Sequence, residues 1–358
     1  MIGKLQKVLD FHVRNGSECG CQLVIYKDGS LFCDLCSGFL DRSRKVKVTP
    51  QTLFPVFSAG KSVLTTLCHI LVKEKLLSYD DPVCKYWKEY GENGKEKTLV
   101  RDILSHRAAL WEFPSDLPYE DYYNWEKACT VLEKAPLKGE LGGFHEYHAY
   151  TYGILLGRLL EKAAKKELRT LLQEKILSPL SLEDGFFWGI PGKDWKIGKE
   201  IAKILPYQDE TGKDVSSEWL KINNEKLLLD ALNPSTNTLC NAHALAKIHA
   251  SLLEKGVDGI KLLTSHDLEE PLKIQRHPRY PVKKDDWDKF GLGYVLCGPE
   301  EPWNRMFGQA GACGSEGFAD RESGYAVGLT RNQLLASDPD YPLRNDLSRI
   351  LGIPERVW

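Results

Sequence analysis

Residues 20–39 constrain the architecture most tightly. Gly20-Cys21-Gln22-Leu23-Val24-Ile25-Tyr26 reads as a strand, Lys27-Asp28-Gly29-Ser30 as a hairpin turn, and Leu31 to Phe39 as the returning strand. A connection this short admits only antiparallel pairing. Strand-like tracts return in the last third, at Gly291–Leu296, Phe307–Gly317 and Tyr325–Thr330, before a closing helix over Pro342–Leu351. Between Lys61 and about Leu180 the apolar residues recur at helical spacing, with Tyr150–Leu172 as one clear helix, and Leu239–Lys255 reads as another. The pattern predicts an α+β fold, an antiparallel sheet built from both termini and flanked by helices, carrying an inserted mainly helical lobe. One domain is expected, with lobes of approximately 1–60 plus 235–358 and 61–234; the charged tract 181–230 yields no clear order of elements.

The stretch Phe54-Pro55-Val56-Phe57-Ser58-Ala59-Gly60-Lys61-Ser62-Val63-Leu64 joins an apolar run to a helical segment. If Ser58 opens that helix, Lys61 shares its face three residues on, and hydroxyl and amine come within hydrogen-bonding reach. A serine beside a lysine is a nucleophile beside its own base. The helix N-terminus would favour negative charge developing on a bound carbonyl oxygen. The plainer alternative makes Ser58 an N-cap and Lys61 a solvated first-turn residue.

At 358 residues, with 42% hydrophobic and 27% charged residues, the chain can bury a large core. A formal net charge of −2 offers no electrostatic case for nucleic acid or an anionic membrane. The N-terminal residues 1–13 alternate charge with apolar spacing, as an amphipathic helix does and a signal peptide does not, and no tract approaches a membrane span. A cytoplasmic protein is therefore expected. Ten cysteines are scattered from Cys19 to Cys313, as expected of reduced, packed thiols. Cys33 and Cys36 would face opposite sides of a strand, so no metal site is expected.

Taken in order, several motifs carry a resemblance. Ser58-Ala59-Gly60-Lys61 follows the hairpin and precedes a long helix; Leu104-Ser105-His106-Arg107-Ala108-Ala109-Leu110, Tyr147-His148-Ala149-Tyr150-Thr151-Tyr152-Gly153 and Gly308-Gln309-Ala310-Gly311-Ala312-Cys313-Gly314 come after it. The chain resembles serine β-lactamase-type hydrolases of penicillin-binding-protein fold, and among them the class C β-lactamase-like esterases, or family VIII carboxylesterases. The resemblance covers roughly residues 20–332.

The resemblance implies roles for particular residues. Ser58 would be the nucleophile, with Lys61 and Tyr147 moving its proton; the backbone amides of Ser58 and Ala312 would hold the oxyanion, with Gln309, Gly311 and His148 beside the substrate. Three departures qualify it. Ala109 stands where glycine is usual, Ala149 replaces an asparagine that would bind a substrate amide, and Gln309 cannot supply the positive charge that binds a β-lactam carboxylate. His106 and Arg107 read as loop-fixing groups. The aromatic run Trp111, Phe113, Tyr119, Tyr122, Tyr123 and Trp125 could line a pocket or simply pack the helical region.

A serine hydrolase acting on a small carboxylic ester through an acyl-Ser58 intermediate is therefore expected, without a cofactor. The alternatives are amide hydrolysis, as a β-lactamase or D-amino-acid peptidase, and a binding protein that kept the fold and lost turnover.

Overall fold

The computed structural model describes residues 1–143, 145–190, 200–208, 211–215, 217–224, 230–275, 289–334 and 342–355. Strands β1 (Gly20–Lys27) and β2 (Ser30–Gly38) form the expected hairpin. With β6 (Val295–Cys297), β7 (Met306–Ala310), β8 (Glu316–Asp320) and β9 (Tyr325–Arg331) they make a six-stranded sheet of order β2-β1-β9-β8-β7-β6. Every pairing in it is antiparallel; Cys21 faces Arg331 and Lys27 faces Tyr325 across the β1–β9 seam. The sheet is thus assembled from both ends of the chain, as the hairpin and the late strands predict.

β1 is buried on both faces, and its alternate residues serve different cores. Cys21, Leu23 and Ile25 pack with Leu5 and Leu9 of the helix Ile2–Arg14 and with Leu343 and Leu347 of the helix Pro342–Leu351. Val24 and Tyr26 face the other way, into a larger core that includes Leu245 and Ile248 of the helix Ala242–Ala250. That core continues through Val63, Leu64 and Leu67 of the helix Gly60–Lys73 to Ile154, Leu155 and Leu159 of the helix Thr151–Ala164.

Several details differ from the sequence reading, among them Phe307–Gly317, which falls on two strands with a turn between them, and Leu239–Lys255, which is α-helical over Ala242–Ala250 and begins in a strand. A second sheet of very short strands, β3 (Phe54–Pro55), β5 (Thr238–Cys240) and β4 (Phe186–Trp188), lies in the order β3-β5-β4, with β4 inside the tract expected to be mainly helical. The helix expected over Tyr150–Leu172 ends at Ala164, where Lys165 takes a left-handed φ of 54°, and resumes at Leu168–Leu172. Of the tract Gly291–Leu296, only its last residues join a strand, because Gly293 turns the backbone at φ +87° and Leu292 bonds to the carbonyl of Pro271. Among the described residues no helix is long and apolar enough to cross a membrane. All ten cysteines are free thiols.

Candidate functional site

The chain enters the site along β3, whose continuation Val56 donates its amide to the carbonyl of Thr238 at 2.9 Å. Phe57 then adopts a left-handed φ of 48°, and a single 3-10 turn, Phe57–Ala59, precedes the α-helix that begins at Gly60. Ser58 therefore stands just before the helix and does not open it. The three-residue spacing still works, because side chains three apart nearly eclipse in a 3-10 turn. Lys61 Nζ lies 2.8 Å from Ser58 Oγ.

Lys61 is 1% exposed, so the solvated first-turn alternative does not hold. Its Nζ also donates to the carbonyls of Ala149 at 2.9 Å and Ser235 at 3.1 Å. Burial holds the Lys61 ammonium well below the usual lysine range. Two of the contacts are carbonyls that can only accept, while the Ser58 hydroxyl can accept from an ammonium or donate to the lone pair of the neutral amine that burial favours.

The Ser235 carbonyl is fixed from the helix Thr151–Ala164, whose Gly153 amide donates to Ser235 Oγ at 2.5 Å, while Asn233 Oδ1 accepts from the Ser235 amide at 3.0 Å. Residues 233–237, Asn-Pro-Ser-Thr-Asn, read in the sequence only as a turn. A backbone carbonyl acting as a lysine ligand leaves no signal in residue type, and the same holds for Ala149.

Tyr147 comes from the loop before that helix, and the loop is gripped by the Leu104–Leu110 segment. The His106 carbonyl accepts from the Glu146 amide at 3.1 Å, and His106 Nδ1 accepts from the His148 amide at 3.0 Å. The His106 ring stacks on Tyr152 at 4.7 Å and contacts Tyr147 at 4.8 Å. Arg107 donates to the carbonyls of Gly143 and Gln275. Both residues fix loops, as the sequence suggested. Ala109 has a φ of 54°, which accounts for the usual glycine at that position.

The Tyr147 hydroxyl hydrogen-bonds Ser58 and accepts from Gln309 Nε2 at 3.4 Å. Burial pushes the phenol up to about 12. Lys61 Nζ sits 5.1 Å from the centre of the Tyr147 ring. Residues 58, 61, 147 and 309 are thus brought together.

β7 completes the wall. A Cβ placed on Gly311 would stand 2.0 Å from the Val56 carbonyl oxygen and 3.2 Å from the Ser58 amide nitrogen, so glycine permits this approach. Ala312, next along, is exposed. His148 is not on the open side: it is 0% exposed, its Nδ1 donates to the Glu146 carbonyl at 2.6 Å, and burial lowers its imidazole to about 4. Of the aromatic run, Phe113 and Tyr119 pack on Tyr122, Tyr119 and Tyr122 pack on Tyr150, and the hydroxyls of Tyr119 and Tyr123 meet at 2.8 Å. Among the described residues, no cluster of three or more His, Cys, Asp or Glu side chains is arranged to hold a metal ion.

This architecture is that of the β-lactamase and penicillin-binding-protein fold. A family VIII carboxylesterase superposes with a TM-score of 0.85 over 98% of this chain and 96% of that one, at 23% identity. A penicillin-binding-protein homologue from Caulobacter crescentus gives 0.78 over 93% and 91%, at 26% identity. The chain belongs to the Beta-lactamase family, whose model it matches over residues 6–348. The Esterase/beta-lactamase LipL of Mycobacterium tuberculosis is 30% identical over 344 residues, 88% of this chain and 78% of that protein. The Teichoic acid D-alanine hydrolase of Staphylococcus aureus is 26% identical over 204 residues; that match spans 57% of this chain and about half (48%) of that protein.

Proposed function

We propose that the protein is a serine hydrolase that cleaves small carboxylic esters through an acyl-Ser58 intermediate. The carrying observation is the Lys61 environment: Nζ is 2.8 Å from Ser58 Oγ, and its remaining contacts are two carbonyl oxygens. In this reading the neutral Lys61 amine takes the Ser58 proton as Ser58 Oγ attacks the ester carbon. With its hydroxyl at about 12, roughly one Tyr147 in 10⁵ is ionised at pH 7, so Tyr147 serves as a proton donor and not as the base. It gives its proton to the departing alkoxide and regains one from the Lys61 ammonium. The alcohol leaves neutral, and water then hydrolyses the acyl-serine by the same route.

The backbone amides of Ser58 and Ala312 are proposed as the oxyanion donors, supported by the close approach at Gly311. The helical lobe supplies Lys61 and Tyr147, and the sheet lobe supplies residues 309–312. Ester preference is favoured by Ala149 and Gln309, which offer neither the amide-binding asparagine nor the carboxylate-binding cation. The named activities of LipL and of the family VIII carboxylesterase agree with it. Ten free thiols suit a reducing cytoplasm, and fractionation of the source cells tests that placement.

The test is to incubate the protein separately with an alkyl fluorophosphonate and a penicillin, then to weigh it intact. Phosphonate labelling that disappears in Ser58→Ala supports the reading. Turnover of p-nitrophenyl esters without nitrocefin selects ester over β-lactam. No adduct from either reagent, and no turnover, would leave a binding protein of the same fold.

A further inference from the structure

Gln309 stands on β7 with its side chain 5% exposed. Its Nε2 is shared between the Tyr147 hydroxyl at 3.4 Å and the carbonyl oxygen of Ala310 at 3.3 Å. The Ala310 carbonyl can only accept, so it fixes which way round the amide sits. Turning the amide over would set Oε1 against that carbonyl, two acceptors face to face. Oε1 itself has no partner among the described residues, so no opposing contact favours the turned form.

This orientation decides where the single phenolic proton goes. With an N–H aimed at its oxygen, Tyr147 cannot donate to Gln309 and donates to Ser58 Oγ. When Lys61 is the neutral amine, its two N–H groups are committed to Ala149 and Ser235, and the Ser58 proton is then directed at its lone pair across the 2.8 Å contact. We infer that Gln309 is a positioning residue that sets the direction of the hydrogen-bond chain from Gln309 through Tyr147 and Ser58 to Lys61, and so poises the serine proton on its base. This rests on the serine hydrolase reading and adds to it a role for a neutral amide distinct from substrate binding.

Direction can be reversed by chemistry. A carboxylate at position 309 only accepts, so it would draw the Tyr147 proton to itself; the phenol oxygen would then accept from Ser58, turning the serine proton away from Lys61. Once protonated, the same carboxyl regains an O–H donor and can restore the original sense. Among the described residues, the ionisable groups around Tyr147 are Lys61, His106 and Tyr152, with His145 and His148 packed against His106. A charge introduced at 309 also shifts Lys61, which moves the acid limb of the acylation profile, whereas a reversed chain lowers the plateau above that limb, and the variants are compared on the plateau.

The experiment compares Gln309→Glu with Gln309→Met, a chain of similar length that neither donates nor accepts through nitrogen or oxygen. Acylation of Ser58 by an alkyl fluorophosphonate and turnover of p-nitrophenyl acetate are followed from pH 8 to pH 5. The Met variant is expected to lose about tenfold in acylation rate, one hydrogen bond's worth, with KM within about twofold. The Glu variant should lose about a further tenfold at pH 8 and recover to the Met level or above as the carboxyl, raised by burial, protonates. Parallel profiles for the two variants, or a loss confined to KM, would overturn the inference. If the Glu variant does not fold by near-UV circular dichroism, Gln309→Lys, a donor only, must label faster than Gln309→Met; equal rates would overturn it equally. Wild-type labelling is read first. Its absence defeats the hydrolase reading, whereas normal wild-type labelling with indistinguishable variants defeats only the chain-direction inference.

Discussion

Gly311→Ala is the sharpest test of how the site is held. The added methyl would sit 2.0 Å from the Val56 carbonyl oxygen, which is backbone and cannot rotate away. Ordinary carbon–oxygen contact begins at roughly 3.3 Å, so the walls must part by about 1 Å. Alanine is compatible with the local backbone, since Gly311 is not among the glycines with positive φ, so the change is steric and confined to this seam. A displacement of that size between the Ser58 and Ala312 amides should cost about 10²-fold in kcat, the usual penalty for a misplaced oxyanion donor. The assay is steady-state hydrolysis of p-nitrophenyl acetate, with fluorophosphonate labelling as an independent measure and thermal unfolding as a control. A variant that melts as a native-like protein and retains kcat within about threefold would refute the argument that this approach builds the oxyanion site.

Replacing Lys61 by arginine keeps a cation but removes any accessible base form; kcat/KM should fall at least 10²-fold, and in the wild type the acid limb of kcat/KM should lie well below 10.5. An unchanged rate in that variant would remove Lys61 from the base role. His69 and His145 are lowered by burial to about 3, and His148 and His249 to about 4, from an ordinary 6.5. A depressed histidine pKa leaves stability intact above 6.5 and erodes it as pH falls towards the folded value, by about 2 kcal/mol for each imidazole at pH 5. Urea midpoints should therefore collapse between pH 6.5 and 4, and a flat profile over that range would contradict the assignment of these rings as buried and neutral. Glu18 and Arg331 form a bidentate pair at 2.6 and 2.9 Å with both side chains at most 2% exposed. Burial raises the Glu18 carboxyl to about 7, so at pH 8, where it is ionised, Glu18→Gln should destabilise by about 3 kcal/mol through loss of the carboxylate facing the buried guanidinium, which denaturant titration would report as a lowered midpoint at constant m-value.

Much of the site was readable because it depends on residue type at fixed spacing. Ser58 and Lys61 are neighbours through local helical geometry, and the hairpin at residues 27–30 declares an antiparallel sheet before any long-range contact is known. The convergence of Tyr147 and Gln309 on that pair came from ordered motifs and not from spacing alone. What escaped the sequence lies in the backbone. The carbonyls of Ala149 and Ser235 carry no residue-type signature, and β3 and β5 are too short to show alternation. Lys165 ends a helix in the left-handed region without the glycine that would have announced it. The resemblance implies His148 beside the substrate, but its ring lies on the buried side of the loop, packed against His106 and bonded through Nδ1 to the Glu146 carbonyl.

The seam between β1 and β9 also bears on biosynthesis. A ribosome releases β1 early, yet its partner on one side is among the last strands to emerge, so the hairpin must wait with an open edge while the intervening helices are made. An unpaired apolar edge held open for most of translation invites pairing with a neighbouring nascent chain. For this protein, yield in a cell should therefore depend on elongation speed and chaperone supply more than on the stability of the finished molecule.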